Sequence, residues 1–320
     1  MKKRPSVSIV TPAYNAMPYL KATIESIRSQ EYPDLEHIVM DGGSKDGTCE
    51  LLRQYPEINW VSEKDRGQSH ALNKGFELAK GDIIGWLNAD DIYEPDAILT
   101  AVEYLEQHPE VDLVCSDLKI IDEDGQYVGV TYSTDFRVED LLFENKIKQP
   151  TVFMRRQVID RLKGVDEQYH YVMDREFWLR VGMSGFKMHY LEGKIFASFR
   201  LCKGTKSFEG TPKFRDEWFA VLQKVKADPF FDAISPSIKK KALDQNRSAY
   251  HVAKMMEAID KGFRKDMMGH FRKAVVKDPK LLLNKGIWLY LYLGVTGAST
   301  DRLRKFKKNA IIDKENIEHA

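Results

Sequence analysis

The sequence predicts an α/β protein: a mostly parallel sheet with helices on both faces, an antiparallel appendage to that sheet, and an α-helical carboxyl-terminal region. Three observations carry this reading. Short apolar runs alternate with amphipathic stretches up to about residue 117, the pattern then becomes hairpin-like, and from about residue 206 it is helical. Repeated strand and helix units of the first kind make a parallel sheet covered on both sides.

The strand-like runs are Val7–Val10, His37–Met40, Ile58–Val61, Ile83–Leu87 and Leu113–Ser116. Between them, Tyr19, Ile24 and Ile27, and then Leu72, Phe76 and Leu78, recur at helical spacing. Polar signals fall where the strands end: Pro12-Ala13-Tyr14-Asn15, Asp41-Gly42-Gly43-Ser44, Glu63 to Gly67, and Asn88-Ala89-Asp90-Asp91. Ligands of such sheets bind beyond the carboxyl ends of the strands. Past residue 117, "KIIDEDGQYVGV" places Asp124-Gly125 between apolar runs, the pair that favours a tight type I′ hairpin. "QPTVFMRRQVIDRL" predicts a short strand and a helix, "DREFWLRVG" a further helix, and Ile195–Phe199 a last strand. These elements divide the chain into residues 1–205 and a helical region 206–320, with helices at Phe214–Lys226, Ile238–Ile259 and Arg264–Val276. The stretch from Ala249 to Pro279 resembles one tetratricopeptide-like helical hairpin. "LLLNKGIWLYLYLGV" is too short to span a bilayer and is interrupted by Asn284 and Lys285. A buried helix is the favoured reading of it; an interfacial helix followed by the basic run "RLRKFKKN" is the other.

The 320 residues are 43% hydrophobic and 30% charged, a composition that excludes a disordered chain and suits two globular domains. Ser6–Val10 is too short for the apolar core of a signal peptide, so the chain is expected to stay in the cytoplasm, with the inner face of the membrane as a peripheral site. Cys49, Cys115 and Cys202 are odd in number and widely spaced, which disfavours disulfides and zinc. Net charge is +1 overall, but residues 206–320 hold 24 Lys/Arg and 14 Asp/Glu, so the remainder is acidic. With no RNA-binding or recognition-helix signature, nucleic acid ranks last among partners of the basic part.

Asp90 and Asp91 pose the sharpest question, because two adjacent carboxylates at a strand exit repel and resist desolvation unless something compensates them. Capping the next helix does not account for them, since Glu94, Pro95 and Asp96 supply that start. Oxygen ligands suit Mn²⁺ or Mg²⁺, and a bridge to phosphate would complete the coordination. Asp41 ends a strand before a glycine turn, where it either shapes the turn or accepts from a nucleoside. Asp46 caps the helix that starts near Thr48. Tyr14 stacks on a base or fills the core below, and the helix entered at Gln68 or Ser69 offers amides to an anion.

In combination, "SIVTPAYNA", "DGGSKDGT", "DRGQSHALNKG", "LNADDIYEP", "QPTVFMRR" and "GVDEQYHYVMDREFWLR" resemble the family 2 glycosyltransferases of the GT-A fold, over about residues 5–205. The resemblance implies inverting transfer of a sugar from a nucleoside-diphosphate donor, UDP favoured, to an acceptor hydroxyl of a surface glycan or lipid-linked acceptor. It implies donor contacts from Pro12, Ala13, Tyr14, Asp41, Asp65, Gly67, Gln68 and Asn88, and a metal held by Asp90 and Asp91. Asp174 takes the position of the family's base, although it can equally cap the helix it begins; Asp166, Glu167 and Trp178 fall on the acceptor side, with a core role open for Trp178. Four positions depart from the family pattern: Asn88 and Gly42 stand where Asp is frequent, Met173 where Glu is, and Cys202 where His is. A non-catalytic sugar-nucleotide-binding module with a helical scaffold for partners is the second hypothesis. A nucleotidyltransferase is the third, against which stands the lack of a glycine-rich, basic first loop in "TPAYNAMPYL".

Overall fold

The computed structural model describes residues 4–202 and 211–296. The chain divides into two compact units, Met1–Gly210 and Thr211–Ala320. The expected boundary at 205/206 and the basic run at 302–308 lie outside the described residues.

The first unit is built on a nine-stranded sheet. Its strands are β1 (Val7–Ala13), β2 (Leu35–Asp41), β3 (Asn59–Ser62), β4 (Ile83–Trp86), β5 (Ile92–Tyr93), β6 (Leu113–Ile121), β7 (Tyr127–Thr131), β8 (Phe153–Arg155) and β9 (Met188–Arg200). They lie in the order β3-β2-β1-β4-β8-β6-β9-β5, with β7 paired to β6. The first four are mutually parallel, β8 runs antiparallel to both of its neighbours, and β6 is parallel to β9.

Alternation along β1 decides which helices lie where. Ile9 packs with Ile27 of α1 (Met17–Arg28) and with Ala97, Ala101 and Leu105 of α4 (Ala97–Gln107). Leu20 and Ile24 of α1 meet Leu51 and Leu52 of α2 (Thr48–Leu52) over Val39. Three further helices follow in this unit: α3 (Gln68–Leu78), α5 (Arg156–Leu162) and α6 (Met173–Met183). Asp46 does not cap α2 as expected: Gly47, at φ 99°, is the capping residue, and the Asp46 carboxylate closes the turn before it by accepting from the Thr48 amide at 3.1 Å and the Met17 amide at 2.9 Å.

Two local expectations change. The connection between β6 and β7 is wider than a type I′ turn: Asp124 keeps negative φ, only Gly125 is left-handed at φ 81°, and the Asp122 carboxylate accepts from the amides of Asp124 and Gln126. A type I′ turn needs positive φ at both central residues, so the Asp122 bonds and one glycine make a longer loop instead. Helix α4 begins at Ala97 rather than at Pro95, because Ile92–Tyr93 is drawn into the sheet beside β9 and the Glu94 amide donates to Phe196.

The second unit holds α7 (Thr211–Ala227), α8 (Pro236–Asp260), α9 (Arg264–Lys277) and α10 (Lys285–Thr296). Ser235 caps α8 by accepting from Ile238, and Gly262, at φ 74°, turns the chain into α9, so the two form a helical hairpin. Met255, Ala258 and Met267 of that hairpin pack on Ile287 and Leu291 of α10. Asn284 breaks the apolar run by accepting from the Gly286 amide at 2.9 Å. Among the described side chains of α10, Ile287 and Leu291 are buried, and Trp288, Leu289, Tyr292 and Val295 are exposed. Among the described residues no helix is long and apolar enough to cross a membrane.

Candidate functional site

The carboxyl ends of the parallel strands form one ledge. Ala13 stands opposite Asp41 in the β1–β2 register, and the Gly42 amide donates to the Ala13 carbonyl at 2.9 Å. Pro12 and Ala13 are buried and build this ledge, whereas Tyr14 rises from it with 68% of its surface exposed. An aromatic ring in that position is available for stacking.

Two aspartates flank Tyr14, and their surroundings differ. Asp41 is 2% exposed and accepts from the amides of Gly43 and Ser44, from the hydroxyls of Ser44 and Ser62, and from the Cys49 thiol. Burial alone would push its carboxyl up, but these donors outweigh it and hold the carboxyl below its ordinary range. Such a carboxylate organises the turn. Asp65 differs: one oxygen accepts from the Gly67 amide at 2.8 Å, and no described residue donates to the other. A Cβ on Gly42 would stand 2.6 Å from that second oxygen and 3.3 Å from the Tyr14 ring. The bare glycine therefore lets the Asp65 carboxylate swing in beside Tyr14. Gly67, at φ 119°, leads into α3, and His170 lies against it.

The carboxylates after β4 divide in the same way. Asp91 is fully buried and accepts from the Arg200 amide at 3.1 Å and the Asn88 amide group at 3.2 Å. Burial, then the neighbouring Asp90, push its carboxyl well above the usual range. Asn88 is a hub: its oxygen accepts from the Trp86 indole at 3.0 Å and from Gln68 at 2.8 Å, and its nitrogen also donates to Gln149 at 2.9 Å. Asn88 and Gln68 thus bond each other beneath the strand ends. Asp90 is half-buried and, among the described residues, accepts only from its own amide; burial pushes its carboxyl up, with Arg200 opposing. A desolvated carboxylate with so few donors fits a cation. Of the two expected metal ligands, Asp90 is open and Asp91 is occupied by Asn88 and Arg200. Among the described residues no third carboxylate, His or Cys joins them in a metal-binding group.

Asp166 and Glu167, in the loop before α6, and Trp178 on α6 belong to a segment stitched to the strand-end ledge. Arg66 pairs with Glu167 at 2.6 Å, Asn73 donates to the Val165 carbonyl at 2.9 Å, and Ser69 donates to Tyr169 at 2.7 Å and to the Met173 sulfur at 2.8 Å. Met173, where the family often has Glu, is therefore part of that seam. Asp166 accepts from the Gln168 amide at 3.1 Å and closes its own loop. Asp174 lies in the first turn of α6 and its carboxyl is pushed up by burial, with the Arg175 amide and charge and the Asn145 side chain opposing. Asn145 also accepts, through its carbonyl, from Lys148 at 3.1 Å. Trp178 is 0% exposed and packs on Trp86 at 6.4 Å between ring centres, so it belongs to the core and does not floor an acceptor sugar.

Cys202 is buried and receives the Tyr19 hydroxyl, whose pKa this bond and burial push up to about 12. Burial also raises the thiol, so a neutral thiol stands where the family has a histidine. The motifs did not single out Asn145 or Gln149. Gln149 stands inside "QPTVFMRR", so that only its bond to Asn88 was missing; Asn145, in a loop, carried no signal at all.

Known proteins share this sequence pattern and this fold. The family model for glycosyl transferase family 2 matches residues 8–162. The chondroitin synthase of Escherichia coli is 27% identical over 189 residues, 58% of this chain and 28% of that protein. A glycosyltransferase of Haemophilus influenzae is 32% identical over 212 residues, 61% of this chain and 66% of that protein. The chain thus spans less than two thirds of the length of either. TuaG of Bacillus subtilis, named for teichuronic acid biosynthesis, is 25% identical over 224 residues, 68% of this chain and 87% of that one. Among solved structures, Staphylococcus aureus TarS 1–349 with UDP-GlcNAc superposes with a TM-score of 0.61 at 14% identity, covering 87% of this chain and 92% of that one. A mannosyltransferase of Pyrobaculum calidifontis with GDP-Man and Mn²⁺ gives 0.55 at 21% identity, covering 92% and 85%. At these identities the likeness is one of fold, and that fold is GT-A.

Proposed function

Because residues 8–162 make this chain a member of glycosyl transferase family 2, we propose that it transfers a sugar, with inversion, from a nucleoside diphosphate to an acceptor hydroxyl. The observation that carries the proposal is the division among the ledge carboxylates. Asp41 is ringed by donors and each Asp91 oxygen takes one, while Asp65 and Asp90 each keep an oxygen without a described partner, one beside an exposed tyrosine and one at a strand exit.

On this reading Tyr14 stacks on the base and Asp65 accepts a ring N–H from it. Uracil, thymine and guanine carry such an N–H; cytosine and adenine present a ring acceptor at that edge and are repelled. UDP is the favoured donor. Its uracil is the base of one structural neighbour's ligand, and guanine that of another. Asn88 and Gln68 brace the ledge from below. Mn²⁺ or Mg²⁺, held by Asp90, would supply positive charge to the departing diphosphate. Asp174 takes the proton of the acceptor hydroxyl while that oxygen bonds to the anomeric carbon and the bond from that carbon to the diphosphate oxygen breaks on the opposite face. Asn145 holds the Asp174 carboxylate in place and favours its ionised form. The acceptor class that suits the relatives named for chondroitin and teichuronic acid is a growing surface glycan or its lipid-linked precursor, met at the inner face of a membrane.

The test is thermal stabilisation by UDP, GDP, dTDP and CDP, each with and without Mn²⁺, followed by release of nucleoside diphosphate from the donor so identified. Ligand that binds only the folded state raises the melting temperature. A Mn²⁺-dependent shift with UDP, lost in Asp90→Ala and moved toward CDP in Asp65→Asn, is the expected result. Binding without transfer across an acceptor panel would favour the non-catalytic module, and no shift with any nucleotide would overturn the donor reading.

A further inference from the structure

Helix α10 carries apolar side chains beyond the face that it buries. Ile287 and Leu291 are buried against Met255, Ala258 and Met267. Trp288, Leu289, Tyr292 and Val295 recur at i, i+1, i+4 and i+7 and point outward, Tyr292 with 64% of its surface exposed. The turn before the helix adds Leu282 and Leu283, the latter 84% exposed. Trp288 is held in this position: its indole N–H donates to the Leu282 carbonyl at 2.8 Å, and its ring meets Phe271 edge-on at 5.8 Å. An exposed apolar patch of this kind marks an interaction surface.

Charge identifies the occupant. Residues 261–309 contain thirteen Lys/Arg against three Asp/Glu. A second copy of the same face would bring two strongly basic segments together, which repel. An anionic surface attracts them, and tryptophan and tyrosine favour the boundary between headgroups and acyl chains. At twelve residues, α10 is about 18 Å long and cannot span a bilayer.

We propose that this face docks on an anionic lipid surface, with α10 lying in the interfacial plane and Leu283, Trp288, Leu289, Tyr292 and Val295 entering the headgroup boundary. The inference deepens the membrane location in the proposed function, but it stands on the second unit alone and does not depend on the sugar-transfer reading.

The test uses the full chain in co-sedimentation with vesicles of phosphatidylcholine alone or mixed with phosphatidylglycerol, at low and high salt. The expected result is binding to the mixed vesicles that falls at least tenfold with neutral lipid, at high salt, and in the double variant Leu283→Glu, Tyr292→Glu. Both substituted positions are exposed, and an unchanged melting temperature and unchanged Mn²⁺-dependent nucleotide shift establish that the variant is folded. Absence of wild-type binding, or equal binding by the variant, overturns the proposal. So does a wild-type dimer in light scattering that the variant dissolves, because the face then meets a second copy. A wild-type chain that binds nucleotide but no vesicles defeats the lipid reading alone, and one that binds vesicles but no nucleotide defeats the donor reading alone.

Discussion

In the ledge of the first unit, Asp41, Asn88 and Asp91 are surrounded by donors and acceptors supplied from several loops. In the second unit, Leu283, Leu289 and Val295 stand exposed although their side chains belong in a core. Polar residues that look reactive are scaffold in one region, and apolar residues that look structural are surface in the other. Residue type alone therefore ranks neither region's functional groups. Unfilled capacity does: a carboxylate oxygen without a described donor, or an apolar face left exposed.

The largest effect that can break this contrast is on chemistry. Asp174→Asn is expected to lower turnover by about 10²–10⁴-fold, the range for loss of a positioned base. Because burial raises the folded-state pKa of Asp174, its contribution to stability is present at acid pH and lost as pH rises through that pKa. The same variant is therefore expected to melt higher at neutral pH, an advantage that vanishes toward pH 4. The wild-type rate should also climb with pH through an apparent pKa above the ordinary aspartate range.

Next come the paired aspartates. Asp90→Ala is expected to remove the Mn²⁺-dependent nucleotide shift and about 10²–10³ in rate, as chelation of the metal should, with no loss of melting temperature in the absence of ligand. Asp91→Ala is expected to do the opposite first, losing about 1–3 kcal/mol of stability as the Arg200 amide and Asn88 lose their acceptor. If both variants behave alike in the melting assay, the distinction between open and saturated carboxylates fails. Asp41→Ala should resemble Asp91→Ala for the same reason.

A smaller effect tests the buried half of the contrast by pH. His37 is buried, its pKa lowered by burial to about 3, and it shares a 3.0 Å hydrogen bond with Thr11. A group whose folded pKa is depressed contributes stability that is present above its unfolded pKa and lost as pH falls. Unfolding titrations should therefore show a loss of about 1.4 kcal/mol per pH unit below about 6.5 from this residue, absent in His37→Gln. Smallest of all, Leu283→Glu should change stability by less than about 0.5 kcal/mol, since its side chain is exposed in the folded chain. A larger loss would mean that Leu283 is part of a core.

Much of this architecture was legible because strands and helices announce themselves by period. β1, β2, β4 and the helices between them follow the apolar spacing of Val7–Val10, His37–Met40 and Ile83–Leu87. The family resemblance could be read from short motifs at the strand ends. What the motifs did not separate was Asp41 from Asp65, or Asp90 from Asp91. Each pair has identical chemistry, and the difference arises from Ser44, Cys49 and Ser62 around one and from Arg200, more than a hundred residues away, around another. Trp178 was open between core and acceptor for a similar reason, and Trp86, on a distant strand, decides it. The exposed face of α10 was hidden because an all-apolar helix reads as buried whichever side is covered.

The bond from the Arg200 amide to Asp91 also sets an order in time. The strand-end ledge, from Pro12 to Asp91, leaves the ribosome well before β9, yet Asp91 receives that partner only when residue 200 has been made. At roughly 5–20 residues per second, that interval is about 5–20 s. During it the nascent chain holds two adjacent acidic groups without their last brace, so the ledge is completed only near the end of the first unit's synthesis.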